Sequence, residues 1–240
     1  MFDFFKKKKN IAEETVPVIE EPSVGEVISK INLNKEMVNK ICLTKKPLTN
    51  LKARVKLVLD YSGSMDHLYY DGSVQRVIEK VVPLALQFDD DGELEVYLFD
   101  NGCRQIKNCS LANVAHYVKN NVSGSMGGTS YAPVIKEITS GCKGDLPDYV
   151  IFITDGNNDD YNQATDAIVR ASRKPIFWQF IGIGGSHFSY LEELDDMEGR
   201  YVDNADFFPV NKMEDITYDK LLTEFPQWLE FPKVKEMLRK

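Results

Sequence analysis

Four short runs of apolar residues set the frame of this chain: Val55–Leu59, Leu94–Phe99, Tyr149–Thr154 and Ile176–Ile183. Each is nearly continuous rather than alternating, as expected of strands covered on both faces. Lys56 interrupts the first run near its start, where its long side chain is expected to reach water. Between the runs the apolar period lengthens to that of helices. Met37, Val38, Ile41 and Cys42 predict a helix over 34–43 with Asn34 as its N-cap. Val77, Val81, Leu84 and Phe88 stripe a longer helix over 73–88, with Pro83 expected to bend it. Further helices are predicted over 111–120, 133–139, 162–173, 188–194, 217–229 and 232–238, the last two anchored by Trp228 and Phe231. A last strand is predicted over 201–207. Asp100-Asn101-Gly102 reads as a hairpin turn from 94–99 into a short strand at 103–106. Residues 66–72 read as a polar aromatic loop.

Strands alternating with helices predict a doubly wound, mostly parallel α/β sheet, Rossmann-like, with helices on both faces and one antiparallel edge strand. The expected organisation is a flexible tip and Glu/Pro-rich linker over 1–24, then one domain over 25–240 with its core at about 51–208. The tip joins Phe2, Phe4 and Phe5 to Lys6–Lys9, which allows at most weak peripheral contact with an anionic membrane. Aromatics before lysines is the wrong order for an export signal, so the expected location is cytoplasmic.

Composition narrows the function classes. The chain has 240 residues, 43% apolar and 28% charged, with a net charge of −8, which argues against phosphate-backbone binding and hence against a nucleic-acid partner. Cys42, Cys103, Cys109 and Cys142 form no C-x-x-C pair, so free thiols are expected rather than zinc. His67, His116 and His187 stand apart from one another as surface or loop residues. Asp89-Asp90-Asp91 lacks the spaced ligands of a calcium loop and reads as a solvated turn. GSMGGTS at 124–130, in the loop 123–130, lacks the ending of a P-loop, and Gly182–Gly185 is a lone G-x-G-G pattern.

One feature resists a packing explanation. The first buried run ends in Asp60, followed at alternate positions by Ser62 and Ser64. These oxygens suit either a helix cap or a hard divalent cation that takes about six oxygen ligands near 2.1 Å. Two distant segments favour the cation: Thr129 in a glycine-rich loop, and Asp155 in Thr154-Asp155-Gly156 at the end of another buried run. Asp159 and Asp160 either deepen the negative field there or stabilise the start of the 162–173 helix.

The D-x-S-x-S, loop threonine and T-D-G set resembles the metal-ion-dependent adhesion site, or MIDAS, of von Willebrand factor type A (VWA) domains. That resemblance implies Ser62, Ser64 and Thr129 as hydroxyl ligands, Asp60 and Asp155 acting largely through water, and an open position for a partner's Glu or Asp. The implied ion is Mg2+, with Mn2+ or Ca2+ possible. The wording LTNLKARVKLVLDYSGSM, YVIFITDGNND and PIFWQFIGIG is similar to the intracellular VWA domains of bacterial tellurium-resistance (Ter) stress proteins of TerF or TerY type. It implies a scaffold role with other Ter-system proteins. The expected function is therefore metal-dependent protein recognition without catalysis. A haloacid-dehalogenase-like phosphohydrolase is the competing class, but it needs a second aspartate where Ser62 stands. A purely structural metal is the third reading.

Overall fold

A computed structural model describes residues 22–185 and 187–239. The aromatic–basic tip and all but the end of the Glu/Pro-rich linker lie outside these residues. Six strands form one sheet: β1 (Arg54–Asp60), β2 (Glu95–Phe99), β3 (Cys103–Gln105), β4 (Asp148–Thr154), β5 (Ile176–Ile183) and β6 (Ala205–Val210), ordered β3-β2-β1-β4-β5-β6. All neighbours run parallel except β2 and β3. The expected mostly parallel sheet with one antiparallel edge is therefore present. Strand order reverses between β1 and β4, so the crevice beyond their carboxyl ends is the topological switch point.

Ten helices flank the sheet among the described residues: α1 (Val24–Thr44), α2 (Asp66–Tyr70), α3 (Ser73–Phe88), α4 (Tyr117–Asn121), α5 (Ala132–Gly141), α6 (Tyr161–Ala171), α7 (Ser189–Asp195), α8 (Tyr218–Leu221), α9 (Glu224–Leu229) and α10 (Pro232–Met237). Side chains alternate across each strand, which divides the core. Leu57, Leu59, Ile151 and Ile153 face the layer holding α1, α3 and α8–α10. Val58, Val150, Phe152 and Phe180 face α5–α7.

Several local expectations change. The first helix starts ten residues earlier than its apolar stripe indicated, at Val24. Ser23 accepts from the Glu26 N–H while the Glu26 carboxylate accepts from the Ser23 N–H, a capping box; Asn34 lies mid-helix. Residues 66–70 form α2 rather than a loop. The helix expected over 111–120 shortens to α4, because Asn113 bonds Ser110 N–H and the Asn108 carbonyl and holds a turn. The helix expected over 217–229 breaks into α8 and α9, since Pro226 has no N–H to offer a preceding turn. The last strand starts four residues later than expected and runs over 205–210, with Pro209 tolerated because β6 is an edge. Of the two expected C-terminal anchors, Trp228 is buried but Phe231 is exposed, and Phe225 takes the anchoring place.

Lys56 also departs from expectation. Its side chain is buried rather than hydrated, and Nζ donates to Glu95 Oε1 at 2.7 Å on the neighbouring strand. Tyr97 donates to the other Glu95 oxygen at 2.8 Å, so both oxygens of this half-buried carboxylate accept a hydrogen bond.

Candidate metal centre

The switch-point crevice collects oxygens because two buried strands stop there. Asp60, the last residue of β1, is fully buried. Its Oδ2 accepts from Thr154 Oγ1 at 2.6 Å and its Oδ1 from the Ser62 N–H at 2.8 Å. Burial pushes this carboxyl up to about 6, against the pull of the Thr154 and Ser62 hydrogen bonds, and the nearby Asp155 charge adds to the rise. Past Asp60 the chain turns through a single 3-10 turn, Gly63–Met65. Ser62 Oγ then lies 3.1 Å from Ser64 Oγ, and Ser64 Oγ donates to Asp155 Oδ1 at 2.8 Å. Asp155 follows directly on β4. Four of the five predicted donors thus lie in one hydrogen-bonded chain.

The spacing of these oxygens tests the fit to a cation. Neighbouring ligands of an octahedral ion with 2.1 Å bonds are about 3 Å apart, and the two contacts above are 3.1 and 2.8 Å. The donor set is all hard oxygen and includes two carboxylates, as magnesium or manganese requires. Among the described residues no group of three or more His, Cys, Asp or Glu side chains is arranged around a common metal position. A site here must therefore draw on hydroxyls.

Thr129, the fifth predicted donor, lies on a loop that Gly127 ties to the Ser62 segment and that is fastened at both ends. Gly127 pairs with Ser62 as an isolated parallel bridge, its N–H donating to the Tyr61 carbonyl at 3.3 Å and its carbonyl accepting from Gly63 N–H at 3.2 Å. The Gly128 N–H donates to Asn101 Oδ1 at 3.1 Å, and Ser130 N–H donates to the Asp100 carbonyl at 2.8 Å. The Thr129 N–H donates to Asp159 Oδ2 at 3.0 Å, while its carbonyl accepts from Asp159 N–H at 2.7 Å. Asp160 accepts from the N–H groups of Tyr131 and Ala132 at 2.9 and 2.8 Å. Asp159 and Asp160 thus have backbone partners that neither expectation named. They hold the Thr129 loop and the start of α5, and Asp160, the residue before α6, makes no side-chain cap there.

Sequence reading missed Thr154 and Asn101 as parts of this site, and the loop-fastening role of Asp159 and Asp160. Only Thr154, within its T-D-G run, carried a local signal. The contacts of the others span 27 to 30 residues of chain, beyond any periodicity. The two nearby glycines have a steric reason. A Cβ on Gly128 would lie 2.5 Å from Asn101 Oδ1 and 3.0 Å from Asp159 Oδ2. Gly128→Ala is expected to cost about 1–3 kcal/mol through this overpacking and to weaken cation binding, measured by urea denaturation and calorimetry. Binding and stability equal to wild type would remove the clamp from the argument. Gly182 has a packing role instead of a phosphate-loop role, because a Cβ there would lie 2.7 Å from the Phe188 ring.

The match to known families extends beyond this site. The family model vWA-TerF-like, described as the vWA found in the TerF C terminus, matches residues 52–238. The chain belongs to the vWA-TerF-like family. A relative of this TerF-like domain, the uncharacterized protein YcbR of Bacillus subtilis (strain 168), is 38% identical over 226 residues, which cover 88% of this chain and 91% of YcbR. Solved structures share the VWA fold at low identity. Manganese-loaded TRAP protein of Plasmodium vivax aligns with a TM-score of 0.54 and 17% identity over 74% of each chain. Proximal thread matrix protein 1 from the mussel byssus, with a zinc-occupied MIDAS motif, aligns with a TM-score of 0.50 and 14% identity over 74% of this chain and 46% of that one. Among the described residues of this TerF-like domain, no helix is long and apolar enough to cross a membrane.

Proposed function

We propose that this TerF-like VWA domain is a divalent-cation-dependent protein-recognition module. Asp60, Ser62, Ser64, Thr129 and Asp155 would hold the ion, Mg2+ in the first instance and Mn2+ or Ca2+ by substitution. Bound there, the ion supplies an electrophilic coordination position for a partner's Glu or Asp. The observation that carries the reading is the chain of hard oxygens, spaced at 3.1 and 2.8 Å, at the switch point of a family fold in which two structural neighbours hold manganese or a zinc-occupied MIDAS. The partner is a protein of a tellurium-resistance or stress-response assembly, other Ter-type proteins first. The four free cysteines fit a reducing, cytoplasmic setting.

The domain acts as a scaffold and not as an enzyme. Ser62, in the place of the acid a phosphohydrolase needs, is a poor proton donor.

Calorimetric titration of the full chain with Mg2+, Mn2+ and Ca2+ tests the reading. Ser64 is exposed, so Ser64→Ala leaves the fold intact. Loss of this one ligand is expected to weaken binding at least about tenfold, roughly 1.4 kcal/mol. Capture of a Ter-type partner should follow the ion and fail in chelator. Absence of binding heat for every ion, or unchanged affinity in the variant, would sink the proposal. Partner capture that ignores chelator while stability falls would instead make the metal structural.

A further inference from the structure

Arg104 stands exposed on the edge strand β3, where a charged side chain ordinarily points to water and discourages strand pairing. Here the side chain folds back onto the domain. Its guanidinium carbon lies 4.9 Å from the centre of the Tyr61 ring, and Nη2 donates to the Ser123 carbonyl at 2.8 Å. Tyr61 follows Asp60 directly and is buried, and its hydroxyl donates to the Gly124 carbonyl at 2.9 Å. A cation and the ring beneath it thus hold two successive carbonyls at the entry to the Thr129 loop. The fit is close, since a Cβ on Gly124 would lie 3.0 Å from Arg104 Nη1. Tyr69 stands edge-on to the Tyr61 ring, with centroids 5.2 Å apart and planes at 85°, and its hydroxyl donates to the Asp60 carbonyl at 2.8 Å. The stack Arg104–Tyr61–Tyr69 therefore joins the loop entry to the backbone of the first predicted ligand.

None of these three side chains is a donor to the ion. Gly124, Gly127 and Gly128 leave the loop little backbone stiffness of its own, so its rigidity comes from what fastens it. Resting on the metal-dependent reading above, we propose that Arg104 is a positioning residue of the metal centre. By clamping Ser123 and Tyr61 it fixes the Thr129 loop, and that stiffness sets the preference for Mg2+ over Ca2+. Magnesium demands near-ideal octahedral geometry at about 2.1 Å, whereas calcium accepts a variable shell at roughly 2.3–2.6 Å. The oxygen spacings of 3.1 and 2.8 Å already suit the smaller ion. A loosened loop must be ordered anew when its hydroxyl binds, a cost that falls on the ion with the stricter geometry.

Calorimetric titration of the full chain with Mg2+ and with Ca2+ tests this. Arg104→Ala is expected to weaken Mg2+ binding at least about fivefold and Ca2+ binding no more than about twofold, because the larger ion tolerates an adjustable shell. Arg104→Lys keeps a cation for the Tyr61 ring and one donor for the Ser123 carbonyl. It should restore the ratio of the two affinities to within about twofold of wild type. Tyr61→Phe keeps the ring but frees the Gly124 carbonyl, and should shift the ratio in the same direction as Arg104→Ala. It decides the matter if metal-free urea denaturation shows that the alanine variant does not fold. An unchanged ratio in the folded variants, whether both ions bind as before or both weaken equally, overturns the inference and leaves the metal reading standing. Wild type that binds neither ion overturns both.

Discussion

Replacing Phe225 by alanine is expected to destabilise the domain by about 3–5 kcal/mol, as truncation of a fully enclosed aromatic does. Phe225 is completely buried in α9 and stacks on Tyr149 of β4, ring centroids 4.4 Å apart and planes 7° from parallel. Phe88 of α3, Phe177 of β5 and Trp228 surround the same ring at 6.4, 5.8 and 6.0 Å. One side chain thus joins two central strands, the long α3 helix and the C-terminal helices. Its loss leaves a cavity that four rigid rings cannot collapse to fill. A urea midpoint close to wild type would show that the C-terminal helices are an accessory layer and not part of the cooperative core.

The same position shows where sequence reading stops. Four of the six strands, β1, β2, β4 and β5, follow from their apolar runs because burial on both faces favours apolar residues, while the exposed β3 follows from the turn at Asp100–Gly102. Only β6, a half-exposed edge with mixed burial, was misplaced. The helices of the C-terminal third were harder. Their anchoring residue is decided by which ring meets Tyr149 on the sheet face, and neither Phe225 nor Phe231 differs in local pattern. Lys56 was misjudged for a related reason. A lysine in a buried run reads as a residue reaching outward, unless the neighbouring strand's register, which sets Glu95 beside it, is already known.

The site divides in the same way. Asp60, Ser62 and Ser64 are local in sequence, and the period of a strand end shows them directly. Asp155 follows from the same logic at β4. The fastening of the Thr129 loop does not, because it depends on the hairpin at Asp100–Gly102 and the β4–α6 turn meeting one loop from opposite sides. Those contacts exchange polar side chains for backbone N–H groups, and any Asn or Asp in a turn has that capacity. Tertiary placement alone decides which of them use it.

Asp60→Asn should separate the cost of the buried charge from its use. The carboxyl is raised to about 6 from an ordinary 3.8, chiefly by burial, so at pH 7 it is ionised at a price in folding free energy. Asparagine keeps the shape and accepts from the Ser62 N–H, while the Thr154 hydroxyl, already 3.3 Å from the Gly156 carbonyl, can turn to donate there. In chelator at pH 7 the variant is therefore expected to equal or exceed wild type, by about 1–2 kcal/mol. The sign of the linkage follows. A carboxyl whose pKa is raised on folding favours the folded state as it takes up a proton, so metal-free wild type should gain stability as pH falls from about 6 toward 3.8, a gain the variant lacks. Saturating magnesium reverses the order. At 100 times its dissociation constant the ion adds about 2.7 kcal/mol to wild type, and much less to a variant that has lost the negative charge nearest the crevice floor. Urea denaturation of both proteins, with magnesium and with chelator, should show the two stabilities crossing. Equal stabilisation of both by magnesium would place the ion's binding energy elsewhere and end the case for Asp60 as the residue around which the centre is built.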